Sequence, residues 1–258
     1  MRYFLELSYN GSAYFGWQRQ RGQCSVQQTL EEGLSTLLRS EILVTGAGRT
    51  DTGVHASYYV VHFDAPAVDD PEQVVYKLNR ILPRDIAVWT MQAVGDDAHA
   101  RFHACAREYH YYIEPAKNPF NRGETWQLNI PLDVARMNRA AEVLLTEEDF
   151  TTFAKLNSNN KTNICRITRA DWEVLEGGQL RFTIRADRFL RNMVRAIVGT
   201  LVDVGRGRYT EEQFAEIVRS RDLSRSSSGA PASGLFLADV AYPEKIFRAK
   251  IGTEMRYR

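Results

Sequence analysis

The sequence is poor in cysteine, and its three cysteines stand far apart. Cys24, Cys105 and Cys165 form no C-x-x-C pair and are odd in number. This pattern excludes a disulfide framework and a zinc site built from paired cysteines. It is typical of a protein in a reducing compartment, and we expect a cytoplasmic location.

Long apolar runs are missing too. No window reaches 18 apolar residues, and the first six residues, Met1–Glu6, contain two charges and no apolar core of signal-peptide length. We therefore expect a soluble globular protein with no membrane partner.

Several common catalytic motifs are absent. The chain has no G-x-G-x-x-G, since Asp51 stands where the last glycine would be, and no G-x-x-x-x-G-K-[ST], G-x-S-x-G or H-E-x-x-H. These absences exclude the dinucleotide-binding, P-loop, serine-hydrolase and zinc-protease classes that the motifs mark.

The chain lacks a large net charge, but one segment of it is strongly basic. The 33 Lys and Arg residues balance 32 Asp and Glu residues, for a net charge of +1, which excludes a polycation. Residues 180–208, however, hold seven Arg and two Asp, so a local +5 is offset by −4 elsewhere. Arginine outnumbers lysine 27 to 6. This excess fits phosphate binding or, equally, a GC-rich genome.

Strands and helices alternate along the chain. Ser25 with Gln28, and Thr210 with Gln213, form predicted capping boxes, and Asp70 and Asp133 are also expected to cap helices. The predicted strands are 3–9, 42–45, 58–63, 86–93, 107–113, 164–175, 180–186 and 234–242, and the predicted helices are 26–38, 71–81, 134–145, 189–204 and one following Thr210. The pattern predicts an α+β fold in which two similar α/β halves, 1–114 and 124–258, share a mainly antiparallel sheet. A Pro/Asn/Gly-rich connector, 115–123, separates the halves, and the cleft between them is the expected ligand site.

The predicted helix 189–204 carries the positive charge. At 100° per residue, five residues fall on one face: Arg188, Arg191, Asn192, Arg195 and Gly199. Such a ridge is either solvated or faces phosphate. Gly199 favours the close approach of a ligand or of another stretch of backbone.

The loop 46–56 is the densest polar motif. It places three glycines, Arg49, Asp51 and His55 between two predicted strands. Taken alone, this loop fits either a structural turn with Asp51 as a capping acceptor or a reactive carboxylate.

Five ordered motifs resemble those of the tRNA pseudouridine synthase A family. They extend nearly from end to end: Tyr9–Gly11 with Phe15–Gln20, Gly48–Ala56, Ala100–Phe102 with Arg107–Tyr109, Phe189–Arg195, and Ala230–Leu235. The resemblance implies isomerisation of uridine to pseudouridine at positions 38, 39 and 40 in the anticodon stem-loop of tRNA, after base flipping. It also implies a homodimer that needs no cofactor and no metal, with an RNA-binding cleft between the halves.

The resemblance assigns roles to individual residues. Asp51 would be the catalytic carboxylate, acting on the ribose or on the uracil ring, and Arg195 its ion-pair partner. Tyr109 would stack on the uracil and reach its C5 proton. Leu235 would supply an apolar wall, with core packing as the alternative, and Arg49 would fill the space left by the flipped base.

Further residues are expected to contact RNA, with a solvated surface as the alternative. His99, Ala100, Arg101 and Phe102 match a segment that touches tRNA in the family, and Lys117 lies in a similar peripheral position. The polar loop from Asn157 to Lys161 is expected to contact the stem backbone, and Arg188 and Arg191 are expected to face phosphate. The chain departs from the family pattern at Asp187-Arg188 and in the Asn-rich loop 157–163. His55 and Trp17 are expected to support loops.

Two alternatives to the isomerase remain open on the residues. One is a non-catalytic tRNA-binding or chaperone protein on the same scaffold. The other is a small-molecule N-glycosidase or nucleotide hydrolase, which would release free uracil.

Overall fold

The computed structural model describes residues 1–121, 123–155 and 161–246. The fold is mixed α/β with a mainly antiparallel sheet, which confirms the predicted fold class at that level. Two compact units are present. The first contains residues 1–52, 56–105 and the chain from Val240 onward, and the second contains residues 53–55 and 106–239.

The helices and strands keep the alternating order that the sequence predicts. In chain order they are β1 (Arg2–Tyr9), α1 (Val26–Leu38), β2 (Thr45–Gly46), β3 (His55–Asp64), α2 (Pro71–Ile81), β4 (Ile86–Val94), β5 (Ala106–Glu114), β6 (Trp126–Gln127), α3 (Val134–Ala141), β7 (Ile167–Val174), β8 (Leu180–Ala186), α4 (Met193–Gly205), α5 (Glu211–Arg219) and β9 (Leu235–Ala241). Among the described residues, no helix is both long and apolar enough to cross a lipid bilayer.

In the first unit, β1 lies between β4 and β3 and is antiparallel to both. Helix α1 buries Leu30 and Leu34, and α2 buries Val74 and Leu78. Burial of these apolar side chains stabilises short helices that would be marginal in water.

The predicted caps of these two helices are present. Ser25 accepts a hydrogen bond from the Gln28 amide, and Asp70 accepts one from the Gln73 amide. The Gln28 side chain bonds to Glu32 rather than reaching back to Ser25. Only one half of that capping box therefore forms.

In the second unit the strand order is β9-β5-β8-β7, and β5 with β8 and β8 with β7 are antiparallel. Helix α4 is the centre of its core, where Ile197, Val198 and Leu201 are fully buried. Residues 115–123, predicted as a connector, lie inside this unit because Trp126 of β6 pairs with Ile113 of β5. The division into functional halves at that connector stays a prediction.

The start of the basic helix was predicted wrongly. Helix α4 begins at Met193 rather than at 189, because Asn192 adopts a left-handed conformation with φ of 67°. Arg188 and Arg191 therefore precede the helix. Of the predicted basic ridge, only Arg195 and Gly199 lie on helical backbone.

Other boundaries also differ. The strand predicted over 58–63 extends over His55–Asp64, and the one predicted over 164–175 is confined to Ile167–Val174. Residues 42–44 are not a strand, and only Thr45–Gly46 pairs with β3. The helix after Asp133 is α-helical as far as Ala141 and then tightens to a 3₁₀ turn, Glu142–Leu145. The full capping box predicted at Thr210 is present.

Candidate active site

The loop between β2 and β3 carries Arg49 and Asp51 and is held by the residue between them. Thr50 is buried; its hydroxyl lies 2.9 Å from the Tyr9 hydroxyl, and its carbonyl accepts a hydrogen bond of 3.2 Å from the Trp17 amide. The residue before Asp51 is thus fixed through both its side chain and its backbone. Arg49 is exposed and Asp51 is partly exposed.

A glycine lets the N-terminal motif pack directly on the backbone of this loop. Gly16 has φ of +82°, and a Cβ there would lie 2.5 Å from the Thr50 carbonyl oxygen and 3.1 Å from the Asp51 carbonyl carbon. Both the conformation and the space require glycine. Trp17, next in sequence, is buried, as expected for a residue that packs this loop onto the core.

An aromatic cluster lies beneath the loop. The ring of Trp17 is 6.0 Å from that of Tyr9 and 4.2 Å from that of Tyr59, measured between centroids. The Tyr59 hydroxyl donates to the Gly48 carbonyl and accepts from the Gly48 amide. A Cβ on Gly46 would overlap the Tyr59 hydroxyl and the Trp17 ring. The loop therefore rests on buried aromatic side chains, which limit the movement of its backbone.

His55 holds the end of the loop in the second unit. It is fully buried, and its Nε2 lies 3.0 Å from the Gly123 carbonyl oxygen and 3.2 Å from that of Ser233. Because both neighbours are acceptors, Nε2 carries the proton. The ring stacks on Phe236, and burial holds the pKa of His55 below its ordinary value. His55 is thus a neutral structural side chain, in agreement with the expectation that it supports the loop.

Tyr109 lies on β5 of the second unit. Its half-buried ring meets that of Phe189 edge-on at 5.1 Å. Tyr111, two residues on, is fully buried in the same unit's core, whereas Tyr112 packs against Phe236. The alternation places Tyr109 and Tyr111 on one face and Tyr112 on the other, as predicted.

Arg195 is anchored on helix α4. Its Nε donates to the Ala230 carbonyl at 2.6 Å, and the Ala230 amide donates to the Arg195 carbonyl at 2.9 Å. Gly199 makes room for this contact, because a Cβ there would overlap the Ser228 carbonyl oxygen. The close partner predicted at Gly199 is therefore a second stretch of backbone.

The Arg195 charge lies near Tyr111, where it lowers the hydroxyl pKa. Burial outweighs it, and the pKa of Tyr111 lies well above its ordinary value. The Tyr111 hydroxyl remains a proton donor to the Pro231 carbonyl, at 2.8 Å.

Leu235 begins β9 and belongs to the core of the second unit, with 6% of its surface exposed. The preceding Gly234 allows this approach, since its Cβ would lie 2.7 Å from the Tyr111 ring and 2.8 Å from the Tyr112 carbonyl oxygen. Packing of Leu235 in the core is thus observed. Its role as a wall for the base stays a prediction.

The predicted RNA-contacting segment 99–102 lies in the first unit. Phe102 is 74% exposed, and the Arg101 guanidinium carbon lies 5.8 Å from the centre of its ring. Ala100 is fully buried and His99 is half-buried. Within the segment, the surface is formed by Arg101 and Phe102.

The other predicted RNA contacts lie in the second unit. Lys117, Lys161 and Arg191 are exposed, whereas Arg188 donates through Nη1 to the carbonyls of Thr162 and Ile164. Asn157 lies outside the described residues.

Sequence reasoning missed the supports of the loop. Tyr59 looks like an ordinary strand residue, and nothing in a single sequence distinguishes it from other core positions. Tyr9 belongs to the first of the five motifs and Thr50 stands between two residues that the resemblance singles out, but neither position indicates that the two hydroxyls meet.

Comparison with known proteins identifies the family. The model described as tRNA pseudouridine synthase matches residues 7–103 and 140–243. A Bacteroides thetaiotaomicron protein named tRNA pseudouridine synthase A is 52% identical over 248 residues, which is 95% of this chain and 92% of that protein. Proteins of the same name from Porphyromonas gingivalis and an Enterobacter species are 50% and 40% identical; each match covers 95% of this chain, and 99% and 91% of the respective protein. The chain therefore belongs to the tRNA pseudouridine synthase family.

Proposed function

We propose that this protein converts uridine to pseudouridine at positions 38, 39 and 40 in the anticodon stem-loop of tRNA, with Asp51 as the catalytic carboxylate. Family membership supports a tRNA-modifying isomerase. The observation that carries the assignment of Asp51 is the double anchoring of Thr50 by Tyr9 and Trp17, which fixes the backbone on which the carboxylate stands.

The reaction leaves the elemental composition of the nucleotide unchanged. The N1–C1′ bond breaks, the uracil rotates and a C5–C1′ bond forms, while a proton leaves C5 and N1 gains one. Asp51 acts on the ribose or on the uracil ring, as a nucleophile or as a base, and the proposal covers each of these routes. The Tyr109 hydroxyl is the proposed group for the C5 proton.

The target base must leave the helical stack to reach Asp51. Unstacking costs a few kcal/mol, which a guanidinium stacked on the neighbouring bases offsets in part. Arg49 is exposed two residues before Asp51, so we assign it to the space that the base vacates. Tyr109 and Leu235 are the proposed ring and wall against which the extruded uracil packs.

We assign Arg195 as the ion-pair partner of Asp51. The Arg195 Nε bonds to Ala230, so the Nη groups, the donors that grip a carboxylate, are available for the pair. Such a partner keeps a carboxylate ionised when a nucleobase closes over it and removes water.

The remaining elements of the proposal concern RNA binding and assembly. A cleft between the two halves is proposed to bind the RNA, with phosphate contacts from basic side chains of both. We further propose a homodimer located in the cytoplasm. The basic side chains proposed to contact the RNA backbone are those of Arg101, Lys117, Lys161, Arg188 and Arg191, and the polar Asn157 is proposed to contact it as well.

Release of tritium from C5 of labelled tRNA uridine tests the reaction, because only formation of the C5–C1′ bond expels that hydrogen. Wild type is expected to release it, and mapping is expected to place pseudouridine at 38–40. Asp51→Asn is expected to abolish release while retaining most tRNA affinity. Asp69→Asn, at an exposed aspartate outside the loop, is the charge-matched control.

Three results would contradict the proposal. Tritium release by Asp51→Asn would remove Asp51 from the chemistry. Binding of tRNA by wild type without any release would indicate a non-catalytic binding protein. Free uracil among the products would indicate a glycosidase.

A further inference from the structure

Residues 98–103 of the first unit, here named the histidine-held segment, form a compact turn without regular secondary structure. The His103 amide donates to the His99 carbonyl at 3.1 Å, which closes the turn. The Ala98 carbonyl accepts from Arg2 at 3.1 Å, and the Ala100 carbonyl accepts from the Tyr242 hydroxyl. Buried backbone groups of such a segment need partners, and here side chains provide them.

Three histidines accept the amide hydrogen bonds of this segment, each through Nδ1. His99 Nδ1 accepts from the amides of Arg101 and Phe102 at 3.1 and 3.3 Å. His62 Nδ1 on β3 accepts from the Ala100 amide at 3.1 Å, and His103 Nδ1 accepts from the His99 amide at 3.1 Å. An imidazole nitrogen accepts only when it carries no proton, so these contacts require neutral rings protonated at Nε2.

The turn places the Arg101 guanidinium beside the ring of Phe102. The backbone amides of Arg101 and Phe102 are tied to His99, while the Phe102 side chain is 74% exposed with the Arg101 guanidinium near its ring. Exposed aromatic rings stack on nucleobases, and a neighbouring arginine adds an attraction for phosphate.

The charges around His99 favour its neutral form. Burial holds the pKa of His99 below its ordinary value, and the guanidinium groups of Arg2 from β1 and Arg101 from the segment itself disfavour a positive charge on it as well. His103 is the other titratable neighbour of His99 within the segment. For His62, burial together with His99 and Arg2 outweighs the opposing Asp64 carboxylate and lowers the pKa to about 4. The carboxylates of Asp96 and Asp97 attract the Arg2 guanidinium and help to raise its pKa.

We propose that His99 is a positioning residue that accepts hydrogen bonds as a neutral imidazole and so presents Arg101 and Phe102 to tRNA. It does not act as a cationic phosphate contact. His62 assists it by holding the intervening Ala100. The inference rests on the proposed function in that it takes tRNA as the ligand.

A direct cationic contact and a positioning acceptor make opposite predictions. A contacting imidazolium would bind tRNA more tightly as pH falls and would be lost in any uncharged replacement. A positioning acceptor loses its lone pair on protonation, so tRNA affinity falls as pH falls. An uncharged side chain with an acceptor in the Nδ1 position then suffices.

Asparagine and leucine at position 99 separate the two. Asparagine places Oδ1 where Nδ1 stands and bonds the amide two residues on, as in an Asx turn. We expect His99→Asn to keep tRNA affinity within about twofold. His99→Leu is expected to lose about tenfold, the scale of one or two unmade hydrogen bonds, and to raise KM more than it lowers kcat. In combination with Arg101→Ala, the loss for His99→Leu is expected to be less than additive.

The pH profile provides a second readout that a purely structural role would not move. At constant salt between pH 5 and 8, wild-type affinity is expected to hold through the ordinary histidine range and to fall at the acid end. His99→Asn is expected to fall less. The proposal would be overturned if the tRNA affinity of the wild type rose on acidification, or if His99→Asn bound tRNA as weakly as His99→Leu. The comparison of the wild type with His99→Asn remains a test even if the His99→Leu variant fails to fold.

Amide exchange separates failure of this inference from failure of the proposed function. By NMR, the Arg101 and Phe102 amides are expected to be protected in wild type and His99→Asn and exposed in His99→Leu, with no RNA present. Protection that survives in His99→Leu overturns the positioning role. Protection that follows this order in a protein that does not modify tRNA would instead contradict the proposed function.

Discussion

The hydroxyl oxygen of Tyr9 lies 2.9 Å from the hydroxyl oxygen of Thr50, the residue immediately before Asp51. This contact joins the end of strand β1 to the loop that carries Asp51 inside the first unit, where water does not compete for it. It makes the position of the carboxylate depend on a side chain 42 residues away in sequence.

Replacing Tyr9 by Phe is expected to lower kcat about three- to tenfold and to leave KM for tRNA nearly unchanged, because the loop loses an anchor and no RNA contact. The free energy of unfolding should fall by about 1 kcal/mol. Tyr3→Phe is the matched control: Tyr3 is a buried tyrosine of the same strand whose hydroxyl accepts from the Val68 amide at 2.9 Å. It should lose similar stability in urea unfolding at full kcat. Equal kcat for the two variants would show that the Tyr9–Thr50 contact does not position Asp51.

Gly16→Ala is expected to reduce turnover more than tenfold, since its Cβ would displace the Thr50 carbonyl and the Asp51 backbone. Gly22→Ala separates this effect from backbone strain. Gly22 also has a positive φ, +73°, but nothing lies within 4 Å of its Cβ position. Both variants should lose about 1 kcal/mol of stability from the left-handed conformation. Single-turnover rates compare them, and a normal rate for Gly16→Ala would mean that the loop tolerates displacement.

Gly199→Ala should lower activity more than Gly205→Ala does, although both glycines lie on helix α4. At Gly199 the new methyl group meets the Ser228 carbonyl and pushes away the backbone that bonds to Arg195. At Gly205 it meets the flexible Met137 side chain, which can move. Thermal unfolding and tritium release measure the two effects. An active Gly199→Ala with a normal melting temperature would show that the Arg195–Ala230 anchoring is dispensable.

His55 predicts a pH-dependent stability with a definite sign. Its folded pKa is lowered by burial, so the unfolded chain binds more protons. Stability is then complete above the unfolded pKa of about 6.5 and is lost as pH falls below it. His55→Gln keeps an amide donor near the Nε2 position but does not titrate.

The stability that wild type loses between pH 7.5 and 5, measured by urea unfolding, should exceed the loss in His55→Gln. Parallel losses in the two proteins would show that His55 is not the buried neutral group described. Subtracting the variant removes the contributions of His62, His99 and His110, whose pKa values are also lowered.

The helix starts were predictable because their signals are local. Asp70, Asp133 and Thr210 each accept the expected amide of the first turn. The start of α4 was not predictable in this way. The apolar periodicity continues through residues 189–192, and only the left-handed Asn192 interrupts the helix.

The identities of the site residues came from their resemblance to a family, and so did the motif positions of Tyr9 and Trp17, but the contacts that these two side chains make did not. Tyr9, Trp17 and Tyr59 meet only after β1 and β3 pair, and such pairings are decided by the whole fold. The role of His99 depends likewise on how one short turn closes. The spacing of residues along the chain predicts neither the contacts among Tyr9, Trp17 and Tyr59 nor the closure of the turn around His99.

The first unit is completed by the far end of the chain. The Tyr242 hydroxyl holds the Ala100 carbonyl, and the Cys105 amide donates to the Ala241 carbonyl at 2.8 Å. Ribosomes deliver the chain from the N-terminus, at about 5 to 20 residues per second. Residues 98–103 therefore leave the ribosome long before Tyr242, and the Ala100 carbonyl gains its Tyr242 partner only after residue 242 has been made. A nascent chain that has not reached residue 242 thus lacks this hydrogen bond, so the turn that presents Arg101 and Phe102 is completed during synthesis rather than at the moment its own residues emerge.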